Sequence, residues 1–163
     1  MRDFIEIALG IVIALIFYTV LAKISISLIQ IFNVFSLVII YFALDKGEIY
    51  GACIGTFCGL IQDSFSLGVF GVAGIAKTIM GFTAGYISRK INVLPLRRNF
   101  LFIFVLVGFE LLLWALLYSF IFSETINTGK GLIFFQPLST ALLGSILFIL
   151  IRKFKNLASK QNK

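Results

Sequence analysis

Apolar residues come in this chain as long, nearly unbroken blocks, and that patterning limits the fold more than any short motif does. Six blocks stand out, at about 4–22, 26–44, 49–65, 67–87, 100–122 and 132–151, each closed by a short cluster of charged or turn-forming residues. Blocks of this length with few charges are the pattern of membrane-spanning helices. A water-facing exterior is ruled out by amount: of 163 residues 60% are apolar and only 13% charged, with a mean hydropathy of +1.08. A soluble domain of that size has too much surface to be so greasy. The reading is therefore an all-α integral membrane protein with six transmembrane helices in one domain, 1–151, and a basic tail, 152–163.

Several spans carry a feature of their own. The first follows a head holding Arg2, Asp3 and Glu6. Residues 20–22 could pass as a signal-peptidase site, but the head is not clearly basic and another span follows at once, so a retained helix is expected. In the second span Gln30 and Asn33 lie one turn apart, a pattern that favours interhelical hydrogen bonds over a ligand contact. The apolar run of the third, 49–61, is only 13 residues, roughly 20 Å of helix against a hydrocarbon core of about 30 Å. Either that helix continues through Gln62 and Asp63 to Phe65, or the following turn dips below the surface. Both options put Asp63 at or under the interface, shielded by protein. The fifth span is interrupted by Glu110. In the sixth Gln136, Thr140 and Gly144 share a stripe, and Pro137 suits a first helical turn. The tail is expected to fray.

An even number of spans puts both ends on one side, and the charges say which. That side collects Arg2, Lys46, Arg89, Lys90, Arg97, Arg98, Arg152, Lys153, Lys155, Lys160 and Lys163, eleven in all, whereas the other has Lys23 and Lys130. The positive-inside rule then makes both termini cytoplasmic and turns Asp63 outward. The formal charge of +7 is thereby explained as topogenic, without a soluble basic face for nucleic acid. The basic connector at 89–98 and the tail serve orientation first and contact with anionic lipid or a filament second.

Residues 51–89 hold the most unusual spacing. Gly51, Gly55, Gly59 and Asp63 recur every fourth residue, which on a helix makes one ridge, bare at three positions and acidic at the fourth. Beyond the Gln62-Asp63-Ser64 break, Gly74, Lys77, Gly81 and Gly85 share a second face. Glycine ridges weaken a helix, and close approach of another helix is the usual compensation, so a tight helical hairpin is predicted. Lys77 lies ten residues before Ile87 and Glu110 ten after Phe100, which puts both about 15 Å into the membrane, near the midplane. Each alone would cost roughly 2.5–3.5 kcal/mol there, so an ion pair facing the bundle interior is predicted, with Asp63 as the competing partner for the lysine. Such a pair can fix helix register or serve a ligand, a proton or another protein's helix, and the residues alone leave these open.

Catalytic chemistry has little to work with. The chain has no histidine, which removes His-containing metal sites and His-based triads. Cys53 and Cys58 lie on different faces of one helix, where a bridge is implausible, and read as small buried residues. Carbonyl chemistry at Lys77 is disfavoured because a neighbouring glutamate stabilises the charged ammonium. The expectation is a protein that is not an enzyme, with no cofactor and no metal.

The stretch Gly59-Leu60-Ile61-Gln62-Asp63-Ser64-Phe65-Ser66-Leu67-Gly68, with Gly71 beyond it, resembles the signature of the rod shape-determining protein MreD family. There a G-L-x-x-D motif joins two spans and is followed by a Gly-spaced helix and a basic cytoplasmic turn. Gly59 and Asp63 match the motif directly, while Lys77 and Glu110 do not carry over as family residues. The resemblance implies a non-enzymatic, multi-pass component of the bacterial cytoplasmic membrane that helps determine rod shape within the cell-elongation, or lateral peptidoglycan synthesis, machinery. Implied partners are MreC, the actin-like MreB filament, RodA and its penicillin-binding transpeptidase, with a homodimer left open. On this reading Gly51, Gly55, Gly59, Asp63 and Gly71 form or brace a docking hairpin for a partner's transmembrane helix. The implied fold is that of the substrate-binding components of energy-coupling-factor vitamin transporters. Transport is accordingly the rival function, weakened by outward loops too short for a lid.

Overall fold

A computed structural model describes residues 2–65, 70–91, 93, 95–121 and 135–161. Among them the chain forms seven helices and no strand: α1 (Arg2–Ile24), α2 (Ile26–Ile31), α3 (Val34–Lys46), α4 (Glu48–Phe65), α5 (Val72–Ser88), α6 (Leu96–Ile121) and α7 (Gln136–Gln161). Three stretches, Asp3–Ile24, Ser27–Lys46 and Leu96–Ile121, are long and apolar enough to cross a membrane. The outside of the molecule is as apolar as its core. Phe4, Ile13, Phe57, Phe82, Leu101 and Leu112 are all exposed, a surface stable in lipid and not in water.

α3 runs through the middle and packs against α1, α4, α5, α6 and α7. Its direction relative to each neighbour can be read from cross-helix pairs. Asn33 meets Thr140, Leu37 faces Gly144 and Tyr41 stacks edge-on against Phe148 at 5.6 Å, so α3 and α7 run parallel. Ser36 with Lys77 and Ile39 with Gly81 make α3 and α5 parallel as well. Asp3 with Lys46, and Gly10 with Phe42, make α1 antiparallel to α3. The fully buried Phe35, Ile39, Ile40, Met80, Ile103 and Val107 fill the space these helices enclose.

α6 starts at Leu96, four residues earlier than expected and within the basic connector, and the element boundaries depart from the sequence reading in three further places. The stretch expected as one span over 26–44 is broken: Phe32 is extended and Asn33 is non-helical, and α3 restarts beyond them. Asparagine explains the break, because its side chain substitutes for the lost backbone partners. Asn33 Oδ1 accepts from the Ser36 amide at 3.2 Å and caps α3. Second, α5 begins at Val72; residues 67–69, expected as the start of that span, lie outside the described residues, as do 122 and 132–134 of the two that follow. Third, the tail does not fray at Arg152, since α7 continues to Gln161. That segment has neither glycine nor proline, and its lysines suit a helix C-terminus.

One end of the bundle is stitched by ions. Lys46 pairs with Asp3 and lies 3.8 Å from Glu6, and Arg89 Nε meets Glu48 at 2.9 Å. These contacts join the start of α1, the end of α3, the start of α4 and the end of α5. This end carries the positive side of the charge asymmetry.

Candidate functional site

Five side chains from four helices converge in the interior. Each sits eight to eleven residues in from the ion-stitched end of its own apolar block: Asn33 and Ser36 on α3, Lys77 on α5, Glu110 on α6, Thr140 on α7. At 1.5 Å per residue that is roughly 12–17 Å. Lys77 is fully buried and Glu110 is 6% exposed. The structure brings these two together in an ion pair, and three further residues complete the arrangement. Lys77 Nζ donates to Glu110 Oε1, to Ser36 Oγ at 2.7 Å and to Asn33 Oδ1 at 3.1 Å. Asn33 Nδ2 donates to Glu110 Oε1 at 3.0 Å, and Ser36 Oγ donates to Glu110 Oε2. The Asn33 amide, freed by the helix break, donates to Thr140 Oγ1 at 3.1 Å.

An ammonium group has three protons, and here each has an acceptor. Both carboxylate oxygens are also engaged. The network therefore offers a ligand no vacant donor on Lys77. What it does is hold α3, α5, α6 and α7 in one register, at a depth where an unpaired charge is costly. Sequence reasoning found Lys77 and Glu110 from equal depth. It missed Ser36 and gave Asn33 and Thr140 no common partner, because a lone hydroxyl or amide in an apolar run does not say which neighbour it faces. The available signal was depth again: Thr140 and Asn33 lie as far in as the two charges.

Asp63 does not compete for Lys77. α4 continues through Gln62 and Asp63 to Phe65, the first of the two options for the short third run, and Asp63 is 5% exposed. Its carboxylate accepts the backbone amides of Gly71 at 2.9 Å, Ala73 at 3.2 Å and Gly74 at 3.0 Å. Those are the first amides of α5, which an N-terminus leaves without helical partners. The helix has no side-chain cap of its own at Gly71, so Asp63 supplies one from the preceding helix, its charge placed at the positive end of the α5 dipole. Gly71 has φ +103°, a conformation open to glycine and strained for other residues.

The glycine ridges meet in the tight hairpin expected of them, and the structure narrows what the ridge itself can offer. Gly51, Gly55 and Gly59 are buried, and they face α5 of the same chain. A Cβ on Gly51 would overlap the Gly81 carbonyl, one on Gly55 the Lys77 carbonyl, and one on Gly59 would lie 2.5 Å from Gly74 Cα. Thr56 Oγ1 and Thr78 Oγ1 hydrogen-bond across the same seam at 2.8 Å. The ridge is thus filled from within and presents no surface to another protein; it and Asp63 brace the hairpin. The physical reason is proximity in sequence: a helix joined by a short turn occupies the bare face before any partner can reach it. What the hairpin does expose is its far side, with Phe57, Ile75 and Phe82. Cys53, exposed on α4, and the buried Cys58 are both free thiols.

Compared with protein-family models, curated proteins and solved structures, the chain matches none of them.

Proposed function

We propose that the chain is a six-span, non-enzymatic scaffold of the bacterial cytoplasmic membrane, of the MreD kind, acting in cell elongation by holding partner transmembrane helices. The observation that carries this reading is the saturated network around Lys77 and Glu110. The buried charge pair and its polar neighbours are spent on one another, and the Asp63 carboxylate serves the hairpin. Among the described residues, the interaction surface that remains is the lipid-facing side of the helices. The Gly59–Asp63 motif supports the family reading, and both termini would then lie in the cytoplasm with the basic end. With the ridge occupied, docking passes to the outer face of the braced hairpin, around Phe57, Ile75 and Phe82, where MreC, RodA or the transpeptidase would present a membrane helix.

The test is co-purification from mild detergent. Wall-synthesis proteins are expected to accompany the wild-type chain, and Ile75→Trp or Phe82→Trp should weaken that association while leaving the melting temperature unchanged. Recovery of an ATPase module in place of wall-synthesis proteins would replace the scaffold with a vitamin transporter.

A further inference from the structure

On the side of α3 away from the hairpin, α1 and α7 both pack on α3 and leave a cleft between them. Its volume is about 460 Å³. The walls are apolar, with Leu9, Ile13 and Phe17 from α1, Leu37 from α3, and Leu143 and Leu147 from α7. Besides Tyr41 on the α3 wall, the polar groups lie at its ends. At one end is Glu6, which lies 3.8 Å from Lys46; at the other are Asn33 and Thr140, bonded to each other.

The height of the cleft decides what fits it. Along α1 it runs from Glu6 to Phe17, and along α7 from Thr140 to Ile151, in each case eleven residue steps, or roughly 16 Å. That is about half of a 30 Å hydrocarbon core. A transmembrane helix from a partner would need a groove running the full height, whereas a lipid chain of one leaflet needs half. The cleft also begins at the positive end of the molecule. Lys46 lies beside Glu6 at the end of α3, and the exposed Lys153 follows Ile151 by two residues on α7. Basic side chains at that level attract anionic headgroups.

We propose that this cleft is a binding site for one anionic phospholipid of the leaflet at the basic end. An acyl chain lies between α1 and α7 and stops at the Asn33–Thr140 floor, while the phosphate sits at the level of Lys46 and Lys153. The proposal depends on the membrane location of the chain and not on which proteins it assembles with, so it survives or fails separately from the scaffold reading.

Native mass spectrometry of the full chain in mild detergent, with phosphatidylglycerol or phosphatidylcholine of the same acyl chains added, tests it. One phosphatidylglycerol should be retained per chain, in preference to phosphatidylcholine by about fivefold or more, the factor that a single basic residue near an anionic surface supplies. Ile13 and Leu147 are 63% and 49% exposed, so Ile13→Trp and Leu147→Trp fill the cleft without entering the core; each should abolish retention. Phe82→Trp, on the far face, should leave it intact, and Lys153→Glu should erase the preference. Retention that survives cleft filling, or no preference between the two lipids, overturns the proposal. If the tryptophan variants do not fold, phosphatidylglycerol with a photoreactive acyl chain should label α1 and α7 above the outer faces of α5 and α6 in the wild-type chain. Even labelling would mean ordinary surrounding lipid and would equally overturn it.

Discussion

Lys77 and Glu110 behave as one object with Asn33 and Ser36, and the consequences of cutting it follow from that. Removing one member strands the rest in a medium with no water to take their place. Lys77→Met and Glu110→Gln should each destabilise by about 3–5 kcal/mol, the range for breaking a buried ion pair. The double variant should recover much of the loss, because two well-packed uncharged side chains remove the desolvation cost of both ions. Thermal unfolding in detergent read as a double-mutant cycle checks this, and additive effects would contradict the coupling. Asp63 makes a second, separate prediction. Asp63→Ala deprives three α5 amides of their acceptor and should cost about 2–3 kcal/mol, the scale of a cap made with charged hydrogen bonds. Asp63→Asn keeps one acceptor oxygen in place and should lose about half as much in the same measurement.

At the scale of elements, α4 and α5 act as a single unit sealed along two glycine faces. Their backbones meet closely enough that one methyl group at the seam has nowhere to go. Gly55→Ala sets a Cβ against the Lys77 carbonyl and should cost about 2–3 kcal/mol, toward the upper end for overpacking, since the obstacle is backbone and cannot rotate away. The disturbance should reach the polar network as well, because Lys77 is the residue displaced. Melting Gly55→Ala in the Lys77→Met background would show it as a smaller penalty than in the wild type. The α2–α3 break has the opposite character. It is a deliberate gap, and non-helical backbone at membrane depth persists only where protein supplies the missing partners. Asn33 and Thr140 supply them, which ties the gap to the floor of the cleft.

Across the whole molecule the two ends differ in kind. One carries Lys46 and Arg89 in ion pairs with acids of neighbouring helices; the other carries the Asp63 turn. Orientation in the membrane follows from that asymmetry. Arg98→Cys should react with an impermeant maleimide only after the cell membrane is opened. Phe70→Cys, at the exposed turn, should react from outside in intact cells, and the reverse pattern would invert the topology. The same polarity separates the two external surfaces. The far side of the hairpin spans most of the height of α4 and α5 and suits a helix, while the half-height cleft beside α3 suits a lipid.

Much of this could be read from residue order, because lipid is a demanding solvent. Long apolar blocks must be helices there, clusters of Lys and Arg choose a side, and opposite charges at equal depth must meet, so the helical class and the Lys77–Glu110 pair were legible from counting alone. The four-residue spacing of Gly51, Gly55 and Gly59 likewise announced a close helix contact. Residue order also named the chain's own next helix as the partner in that contact, and left open whether the ridge forms a docking surface or braces one. That choice, the break at Asn33, the capture of Ser36 and Thr140 by the charge pair, and the cleft between α1 and α7 were decided only when the helices packed. Depth is a one-dimensional coordinate that a sequence carries along each span; the azimuth of a side chain around its helix, and the neighbour it then meets, exists only in the assembled bundle.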